Sequence, residues 1–323
     1  MRLKPWLRGV MAAACMVVGV AAQGADYPSG PVRLVVPYGP GGSSDIAARL
    51  VAEKLSAATK QSFIVENKPG AGGTLGAGYV ARQAPDGYTL VLGTTGHSIN
   101  QTLMPHLPYD LTRDLTLVSP LVKGALVLVV SKDSPVKSAS DLISYITAHP
   151  GKTSFGSAGI GSSPHLAVEI MRQVRPFDSV HVPFSGSSAD LTALIGGQVT
   201  FSFETLSVAM PFIKSGRVKA LAVSTAERDS ALPDVPTMRE QGFKDFDVSF
   251  WNGIFVPKKT PANVVETLNE QIKAALALPD TKEKLAGLNL MPAWKSVADS
   301  QRFVAQDVQT YASVIQAAHI KID

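Results

Sequence analysis

The sequence is poor in cysteine and in charge. Its 323 residues include one cysteine, Cys15, and 17% charged residues, below the roughly 25% of typical soluble domains. The single cysteine excludes a disulfide-stapled scaffold. The low charge, together with 45% apolar residues, excludes a charged disordered chain. Glycine (27) and proline (22) are spread along the chain, which excludes a collagen-like fibre. The length predicts about two domains.

The chain after residue 25 also lacks an excess of positive charge. Residues 1–25 contain three basic residues, Arg2, Lys4 and Arg8, and no acidic residue. The rest of the chain therefore has 27 basic and 26 acidic residues, a formal charge of +1 instead of +4. This balance lacks the basic surface of a nucleic-acid binder, so we expect no nucleic-acid partner.

The N-terminus has the pattern of a secretory signal peptide. The cationic residues 1–8 precede an apolar run of 14 residues (GVMAAACMVVGVAA), and small residues follow. The run is shorter than the about 20 residues of a membrane-spanning helix. We predict a signal peptide over residues 1–25, cleaved between residues 22 and 25, and a periplasmic protein. An uncleaved anchor is one alternative. A lipoprotein acylated at Cys15 is disfavoured, because Arg8 leaves little apolar sequence before the cysteine.

Downstream, short β-branched runs alternate with amphipathic stretches. Residues 45–58 have apolar side chains at helical spacing, with Ser43 or Ser44 as the expected N-cap. Residues 115–121 and 126–130 predict a pair of strands. The alternation of strands and helices predicts the α/β class, with parallel sheets covered by helices on both faces, in two domains.

Four segments rich in glycine and serine each follow a predicted strand and open a predicted helix. In parallel α/β sheets such loops lie at the carboxyl ends of the strands, where ligands bind, and the helix behind each loop adds partial positive charge. The loops contain no Lys or Arg, so one or two carboxylates suit them better than a phosphate cluster. The alternative is that they are ordinary connections. The segments are residues 37–45 (PYGPGGSSD), 93–100 (GTTGHSIN), 156–165 (GSAGIGSSPH) and 184–190 (FSGSSAD).

Enzyme motifs are missing from the sequence. It has no P-loop, no G-x-S-x-G and no H-E-x-x-H, and residues 39–44 (GPGGSS) fail the dinucleotide pattern at the last position. No two of the six histidines stand at metal-ligand spacing. A catalytic pair of Ser163 and His165 is disfavoured, because residues this close in a chain rarely form one. We therefore expect no catalytic residues, no metal and no cofactor.

Several single residues permit two interpretations. His97 is either a hydrogen-bonding group at a helix start or a ligand contact, and packing or capping is favoured for His165. Glu204, at the end of a predicted strand, either meets a ligand cation or hydroxyl or is solvated. The pair Trp251-Asn252 either lines a cleft or, for Trp251, belongs to the core. Phe184 is placed to cover the carbon skeleton of a ligand.

Long blocks of the sequence resemble one family. The segments PVRLVVPYGPGGSSDIAARLVAEKL, VENKPGAGG, PDGYTLVLGT, LPYDLTRDL, SAGIGSSPHLA, HVPFSGSSADLTALIGGQV and VKALAVSTAERDSALPDVPT are similar, in order, to Bug-type (TctC-like) extracytoplasmic solute receptors of tripartite tricarboxylate transporters. The resemblance implies a type II periplasmic-binding-protein fold: two Rossmann-like α/β domains, a cleft between them and a two-strand crossover. It places domain 1 at residues 26–124 plus 249–323 and domain 2 at residues 125–248.

The resemblance also implies ligand-binding residues, carried over by motif. Domain 1 offers Tyr38, Gly41, Gly42, Ser43, Asp45, Thr94 and Thr95, with His97 at a variable position. Domain 2 offers Ser157, Ala158, Gly159, Ser162, Phe184, Ser185 and Glu204. This chain has Tyr38-Gly39 where many relatives have Phe-Pro, and Glu204 where Asp is common, so the class of ligand is implied but not its identity.

The expected function is that of a periplasmic binding protein, a monomer, which captures a small carboxylate and delivers it to the membrane permease subunits of the transporter. A ligand-loaded co-receptor for a sensor kinase is the second hypothesis. The third is a hydrolase or lyase built on the same cleft, which the missing motifs oppose.

Overall fold

The computed structural model describes residues 27–104, 106–317 and 320; the predicted signal peptide lies outside the described residues. The first half of the chain forms β1 (Val32–Val36), α1 (Ser43–Thr59), β2 (Phe63–Asn67), α2 (Thr74–Ala81), β3 (Thr89–Thr94), α3 (Thr95–Leu103), β4 (Leu115–Ser131), α4 (Ala139–Ala148), β5 (Ser154–Ser157) and α5 (Ser163–Val174). The second half forms β6 (Val180–Pro183), α6 (Ser187–Ile195), β7 (Phe201–Thr205), α7 (Leu206–Lys214), β8 (Val218–Val223), β9 (Ser249–Pro257), α8 (Ala262–Ala277), α9 (Pro279–Gly287), β10 (Met291–Pro292) and α10 (Val297–Ala317).

The strands form one ten-stranded sheet that divides into two halves. The strand order is β2-β1-β3-β9-β4-β7-β5-β6, and β8 and β10 also pair with β4. Strands β1, β2 and β3 are parallel in one half, and β5, β6 and β7 in the other. We call the half with β1–β3, β9, β10, α1–α3 and α8–α10 lobe 1, and the half with β5–β8 and α4–α7 lobe 2. The predicted α/β class with parallel strands is confirmed.

Strand β4 runs through both lobes. Its residues from Leu115 to Ala125 pair with β9 in lobe 1, and those from Leu126 onward pair with β7 and β8 in lobe 2. The prediction of two separate strands here was wrong. Residues 122–125 (VKGA), between the two predicted strands, continue the ladder with β9, and Pro120, which has no N–H to donate, is accommodated where the register with β9 shifts.

The segment in which the chain returns from lobe 2 to lobe 1 lies beside β4, through which it entered lobe 2. Ser224 is fully buried and its N–H donates to the Leu126 carbonyl (3.0 Å), while its hydroxyl accepts from the Leu126 N–H (2.9 Å) and donates to the Val248 carbonyl (2.6 Å). The Val248 N–H donates back to the Ser224 carbonyl (3.0 Å). One serine therefore joins the two crossing segments, which run side by side between the lobes.

Apolar packing covers both faces of β4 in lobe 2. Leu126, Leu128 and Val130 belong to the large core that extends into lobe 1, whereas Val127 and Val129 face a second cluster with α6 and α7. This alternation is the period of two expected of a strand buried on both faces. Within the described residues, no helix is long and apolar enough to span a membrane.

Candidate functional site

Five helices from the two lobes point their N-termini at one cavity. Helices α1 and α3 come from lobe 1, and α5, α6 and α7 from lobe 2. The cavity has a volume of about 40 Å³. The residues that line the cavity are Tyr38, Gly42, Ser43, Ser44, Thr94, Ala158, Ser162, Ser163, Pro164, Gly186, Ser187, Thr205, Phe250 and Asn252.

The helices differ in how their N-termini are satisfied. At α3 and α5 the N-cap side chains of Thr94 and Ser162 accept hydrogen bonds from the first turn. At α1, α6 and α7 the N-caps are Gly42, Gly186 and Thr205, and none of these makes a side-chain capping bond. The prediction of Ser43 or Ser44 as the cap of α1 was wrong, since both lie inside the first turn. Because these helices leave backbone N–H groups without a side-chain cap beside the cavity, an anion there can serve as their cap.

Asp45 holds the loop before α1 in place. Its carboxylate accepts from the Gly41 N–H (3.0 Å), the Arg49 Nε (3.0 Å) and the Asn67 Nδ2 (2.9 Å). Burial alone raises the pKa of Asp45, but these hydrogen bonds and the Arg49 charge hold it below its usual value. The carboxylate is buried among these partners and is not among the residues lining the cavity. We infer that Asp45 positions Gly41 and Gly42.

His97 is a helix-start group. It is fully buried, and its Nδ1 accepts from the Thr94 N–H at 3.0 Å, which completes a capping box with the Thr94 hydroxyl. Burial lowers the pKa of His97 to about 4, so the ring is neutral at pH 7. The Thr94 hydroxyl is also 3.1 Å from the hydroxyl of Tyr38, and both residues line the cavity. Thr95 does not line the cavity. Its hydroxyl accepts from the Trp251 N–H at 2.8 Å.

His165, like His97, accepts a backbone hydrogen bond at the start of its helix, here α5. Its Nδ1 accepts from the Gly161 N–H (3.1 Å), and its ring stacks on His181 with centroids 4.1 Å apart. His181 Nε2 lies 2.7 Å from the hydroxyl of Ser157. Burial and the neighbouring His181 and Arg172 charges lower the pKa of His165 to about 3. Ser157 is fully buried beneath the loop, so it supports the loop, while Ala158 and Ser162 reach the cavity.

Glu204 was expected either to contact a ligand or to be solvated, and it does neither. It lies behind the cavity wall. It is fully buried on β7, where its carboxyl accepts from the Thr205 N–H (3.2 Å) and shares a hydrogen bond with Asp190. The Ser202 hydroxyl donates to Asp190 at 2.9 Å. Burial, and then the Asp190 charge, raise the pKa of Glu204 well above its usual value. Burial raises the pKa of Asp190 to about 6. We infer that Glu204 carries the proton shared by this pair.

Three predicted site residues lie on the outer side of Tyr38. Gly159, Phe184 and Ser185 line a hollow against the turn Ala71–Gly73, separated from the inner cavity by Tyr38 and Ala158. In this hollow the two lobes touch. The Gly39 N–H donates to the Ser185 carbonyl oxygen at 2.8 Å.

Asn252, which was one interpretation of the Trp251-Asn252 pair, lines the cavity, as does Thr205, which was not predicted from the sequence. Asn252 lies on β9, next to Trp251, whose indole N–H donates to Asp307 at 2.9 Å and whose ring packs in the core. Of the two interpretations of this pair, Trp251 therefore belongs to the core and Asn252 to the cleft. Ser44, Ser163, Gly186 and Ser187 were missed individually, but they belong to the same four loops.

Comparisons with known proteins place the chain in a family. The family model described as tripartite tricarboxylate transporter family receptor (TctC) matches residues 47–320. The chain belongs to this receptor family. Protein BugT of Bordetella pertussis is 34% identical over 309 residues, which cover 94% of each chain. The resemblance found in the sequence blocks is confirmed.

Solved structures of similar proteins share the fold. The periplasmic binding protein BugD has a TM-score of 0.88 and 32% identity over 91% of this chain and 99% of its own. Rpa4515 of R. palustris, solved with adipate, has a TM-score of 0.88 and 33% identity over 92% and 99%. MatC of Rhodopseudomonas palustris, solved with malate, has a TM-score of 0.86 and 34% identity over 90% and 100%. The predicted periplasmic-binding-protein fold, with two domains and a cleft, is confirmed.

Proposed function

We propose that this receptor captures a small carboxylate in the cavity between its lobes, and that residues 26–124 plus 249–323 and residues 125–248 act as the two closing domains. The observation that carries the proposal is the meeting of three helix N-termini without side-chain caps, α1 from one lobe and α6 and α7 from the other. A carboxylate satisfies their N–H groups and gains from the helix dipoles. The malate and adipate in two relatives agree with this chemistry.

The neutral lining suffices for useful affinity. A hydrogen bond to a charged group contributes roughly 1.5–3 kcal/mol, and micromolar binding needs about 8 kcal/mol. Several backbone and hydroxyl donors therefore provide this affinity once the entropy cost of binding is met. No side chain that carries a charge at neutral pH lines the cavity among the described residues, so the binding of an acid depends on these donors.

Thermal shift and calorimetry against a panel of mono-, di- and tricarboxylates test the proposal. A ligand at about 100 times its Kd adds about 2.7 kcal/mol of stability. We expect at least one carboxylate to do so, and none to be converted on long incubation. A panel in which no carboxylate stabilises the protein would refute carboxylate capture. Turnover of a bound acid would instead favour the hydrolase hypothesis.

We propose further that the protein is exported and hands its ligand to the permease subunits of a tripartite tricarboxylate-type transporter. The signal-peptide pattern of residues 1–25 and the receptor family support this. The native protein is expected in the periplasmic fraction, beginning between Gln23 and Asp26. Intact-mass measurement that finds Met1 retained, or a lipid on Cys15, would contradict export with cleavage. Ligand-dependent uptake in cells with and without the gene tests delivery.

A further inference from the structure

A second pocket lies in lobe 1 beside the two segments that cross between the lobes, and we call it the crossover pocket. Its volume is about 320 Å³, whereas a cavity of roughly 150 Å³ is large enough to bind benzene. Strands β4, β9 and β10 and helix α10 contribute to it, so a ligand with a single ring fits. The residues that line it are Pro120, Lys123, Ser249, Phe250, Trp251, Pro292, Ala293, Trp294, Lys295, Phe303, Asp307 and Tyr311.

Aromatic rings form the walls of the crossover pocket. Trp251 and Phe303 pack edge to face with centroids 5.2 Å apart, and Trp294 and Tyr311 line the pocket beside them. The indole N–H of Trp251 donates to Asp307 at 2.9 Å, and that of Trp294 donates to a carbonyl oxygen of α8 at 3.3 Å. Both indoles are therefore held in place by their polar atoms, which leaves their apolar surfaces for a ring of a ligand.

Two lysines add positive charge to this lining. Lys123 is exposed and lies opposite Trp251 in the ladder between β4 and β9. The Nζ of Lys295 lies 5.5 Å from the ring centroid of Phe303. In the described part of the chain, neither ammonium group has an ion pair or a hydrogen-bond partner. A bound anion can therefore pair with both.

The acidic groups nearby already have partners. Asp307 is the acidic residue among those that line the pocket, and it accepts the hydrogen bond from Trp251. Asp299 lies near Lys295 but outside the lining, and it forms its ion pair with Arg302. The lining therefore has two ammonium groups against one carboxylate, which favours an anionic ligand over a cationic one.

We propose that the crossover pocket is a second binding site, which takes a small aromatic carboxylate with its ring against Trp251 and Trp294 and its carboxylate towards Lys123 and Lys295. An aromatic amine would fit the same walls but would face two ammonium groups. The site is distinct from the cavity between the lobes and does not depend on the proposed carboxylate capture.

Fluorine NMR of protein labelled with 5-fluorotryptophan tests the site directly. The sequence has three tryptophans, and Trp6 lies in the predicted signal peptide, so the exported protein contains Trp251 and Trp294. Benzoate should shift both resonances, assigned with Trp294→Phe, and should saturate with a Kd of about 1 mM or tighter. Trp294 does not line the cavity between the lobes. Absence of a saturable shift at Trp294 would overturn the proposal.

Matched ligands test the preference for an anion. Benzamide has the same ring without the charge, and benzylamine has the opposite charge. We expect benzamide to bind about fivefold more weakly than benzoate, and benzylamine to bind more weakly still, because exposed charges contribute modestly to each interaction. Benzylamine that binds as tightly as benzoate would overturn the assignment of an anionic ligand.

Removal of the two lysine charges tests their contribution. The double variant Lys123→Gln, Lys295→Gln should weaken benzoate about fivefold and change benzamide by less than about twofold. Lys132→Gln, at an exposed site outside the pocket, is the matched control and should change neither. Wild-type affinity for benzoate in the double variant would contradict the proposed placement of the carboxylate.

A larger side chain inside the pocket tests the placement of the ring. Ala293→Leu adds three carbon atoms to the lining and should weaken benzoate and benzamide alike, by about tenfold. Ala298→Leu makes the same change at an exposed site on α10 and should have no effect. Unchanged binding of both ligands by Ala293→Leu would exclude the crossover pocket as their site.

Benzoate in the cavity between the lobes must be distinguished from benzoate in the crossover pocket, because Phe250 lines both. Gly42→Val places a branched side chain at the N-terminus of α1, in the cavity. The shift of the Trp294 resonance by benzoate should persist in this variant. Loss of the shift in Gly42→Val, together with its retention in the double lysine variant, would place benzoate in the cavity. That result would overturn the second site and leave carboxylate capture standing.

Discussion

The backbone N–H of Gly39 in lobe 1 donates a hydrogen bond of 2.8 Å to the carbonyl oxygen of Ser185 in lobe 2. Around this bond the lobes approach so closely that side chains are excluded. A Cβ on Gly72 would overlap the carbonyl oxygen of Ile160, and a Cβ on Gly161 would overlap the side chain of Asn100. The lobes are therefore closed on each other at these glycines: Gly39 and Gly72 meet backbone of lobe 2, and Gly161 meets the side chain of Asn100.

Gly72→Ala should prevent this closed form. The added Cβ meets the Ile160 carbonyl, so we expect the variant to bind malate or another identified ligand at least about tenfold more weakly, since closure adds contacts only in the closed state. X-ray scattering should show the wild type becoming more compact on ligand addition and Gly72→Ala not doing so.

Gly151→Ala is the control for backbone strain. Gly151 has φ of 68°, close to the 62° of Gly72, but a Cβ there meets nothing within 4 Å. Both variants therefore have the strain of a left-handed alanine, and only Gly72→Ala blocks the lobes. Equal loss of affinity in the two variants would show that strain, and not the contact between lobes, is responsible.

The parts of the site that the sequence predicted are those with a local signal. The loops before α1, α3, α5 and α6 are recognisable because glycine and serine follow a strand and precede a helix. The pairing of Asn252 with Ser44 has no such signal, because the two residues are 208 positions apart in the chain. The raised pKa of Glu204 also depends on a distant partner, because only the folded sheet brings Asp190 beside it and buries both carboxyls.

Asp45→Asn should loosen the loop before α1. The variant loses the charge that holds Arg49 and one acceptor for the Gly41 N–H, so we expect stability to fall by about 1–3 kcal/mol and every carboxylate to bind more weakly. Since the folded pKa of Asp45 lies below its ordinary value of 3.8, its contribution is present above that value and disappears as pH falls below it. Chemical denaturation at pH 7 and pH 3 measures the difference between variant and wild type.

The exposed Asp133→Asn on lobe 2 makes the same chemical change and should alter neither stability nor binding. A stability difference between Asp45→Asn and wild type that is the same at pH 7 and pH 3 would argue against an ionised, hydrogen-bonded Asp45.

Gly42→Val should remove the anchoring end of the site while preserving the fold. Gly42 has φ of −80°, which any residue adopts, and the nearest atom to an added Cβ is the Gly39 carbonyl oxygen at 3.9 Å. The valine branches therefore occupy cavity space in front of the α1 N-terminus. We expect an unchanged melting temperature and about 10- to 100-fold weaker binding of all carboxylates. This loss corresponds to one hydrogen bond to a charged group or slightly more.

Gly30→Val, at a site where a Cβ meets nothing, is the control and should bind normally. If Gly42→Val binds the whole acid panel like wild type, the loop is only a connection and the anchoring model is wrong.

The buried pair Glu204 and Asp190 gives stability a distinctive dependence on pH. Unfolded Glu and Asp lose their protons near 4.5 and 3.8, whereas in the folded protein the pKa of Asp190 is about 6 and that of Glu204 is higher than its ordinary value. The folded state therefore holds more protons than the unfolded state above about pH 4. The contribution of the pair to stability is complete below the unfolded pKa values and is lost as pH rises through the folded ones, by up to about 1.4 kcal/mol per pH unit for each proton.

Glu204→Gln should remove most of this dependence. Glutamine resembles the protonated acid in shape and stays neutral, so the stability of Glu204→Gln relative to wild type should increase from pH 5 to pH 8 by about 1 kcal/mol or more. The buried His97, His165 and His181 have pKa values lowered to about 4, 3 and 4. They oppose folding at acid pH in both proteins, so their effect cancels in the difference.

Denaturation curves at three pH values measure the stability difference between Glu204→Gln and wild type, with the exposed Glu283→Gln as control. Malate affinity should change little, because the carboxyl lies behind the wall. A constant stability difference across this range would mean that Glu204 is ionised in the folded protein.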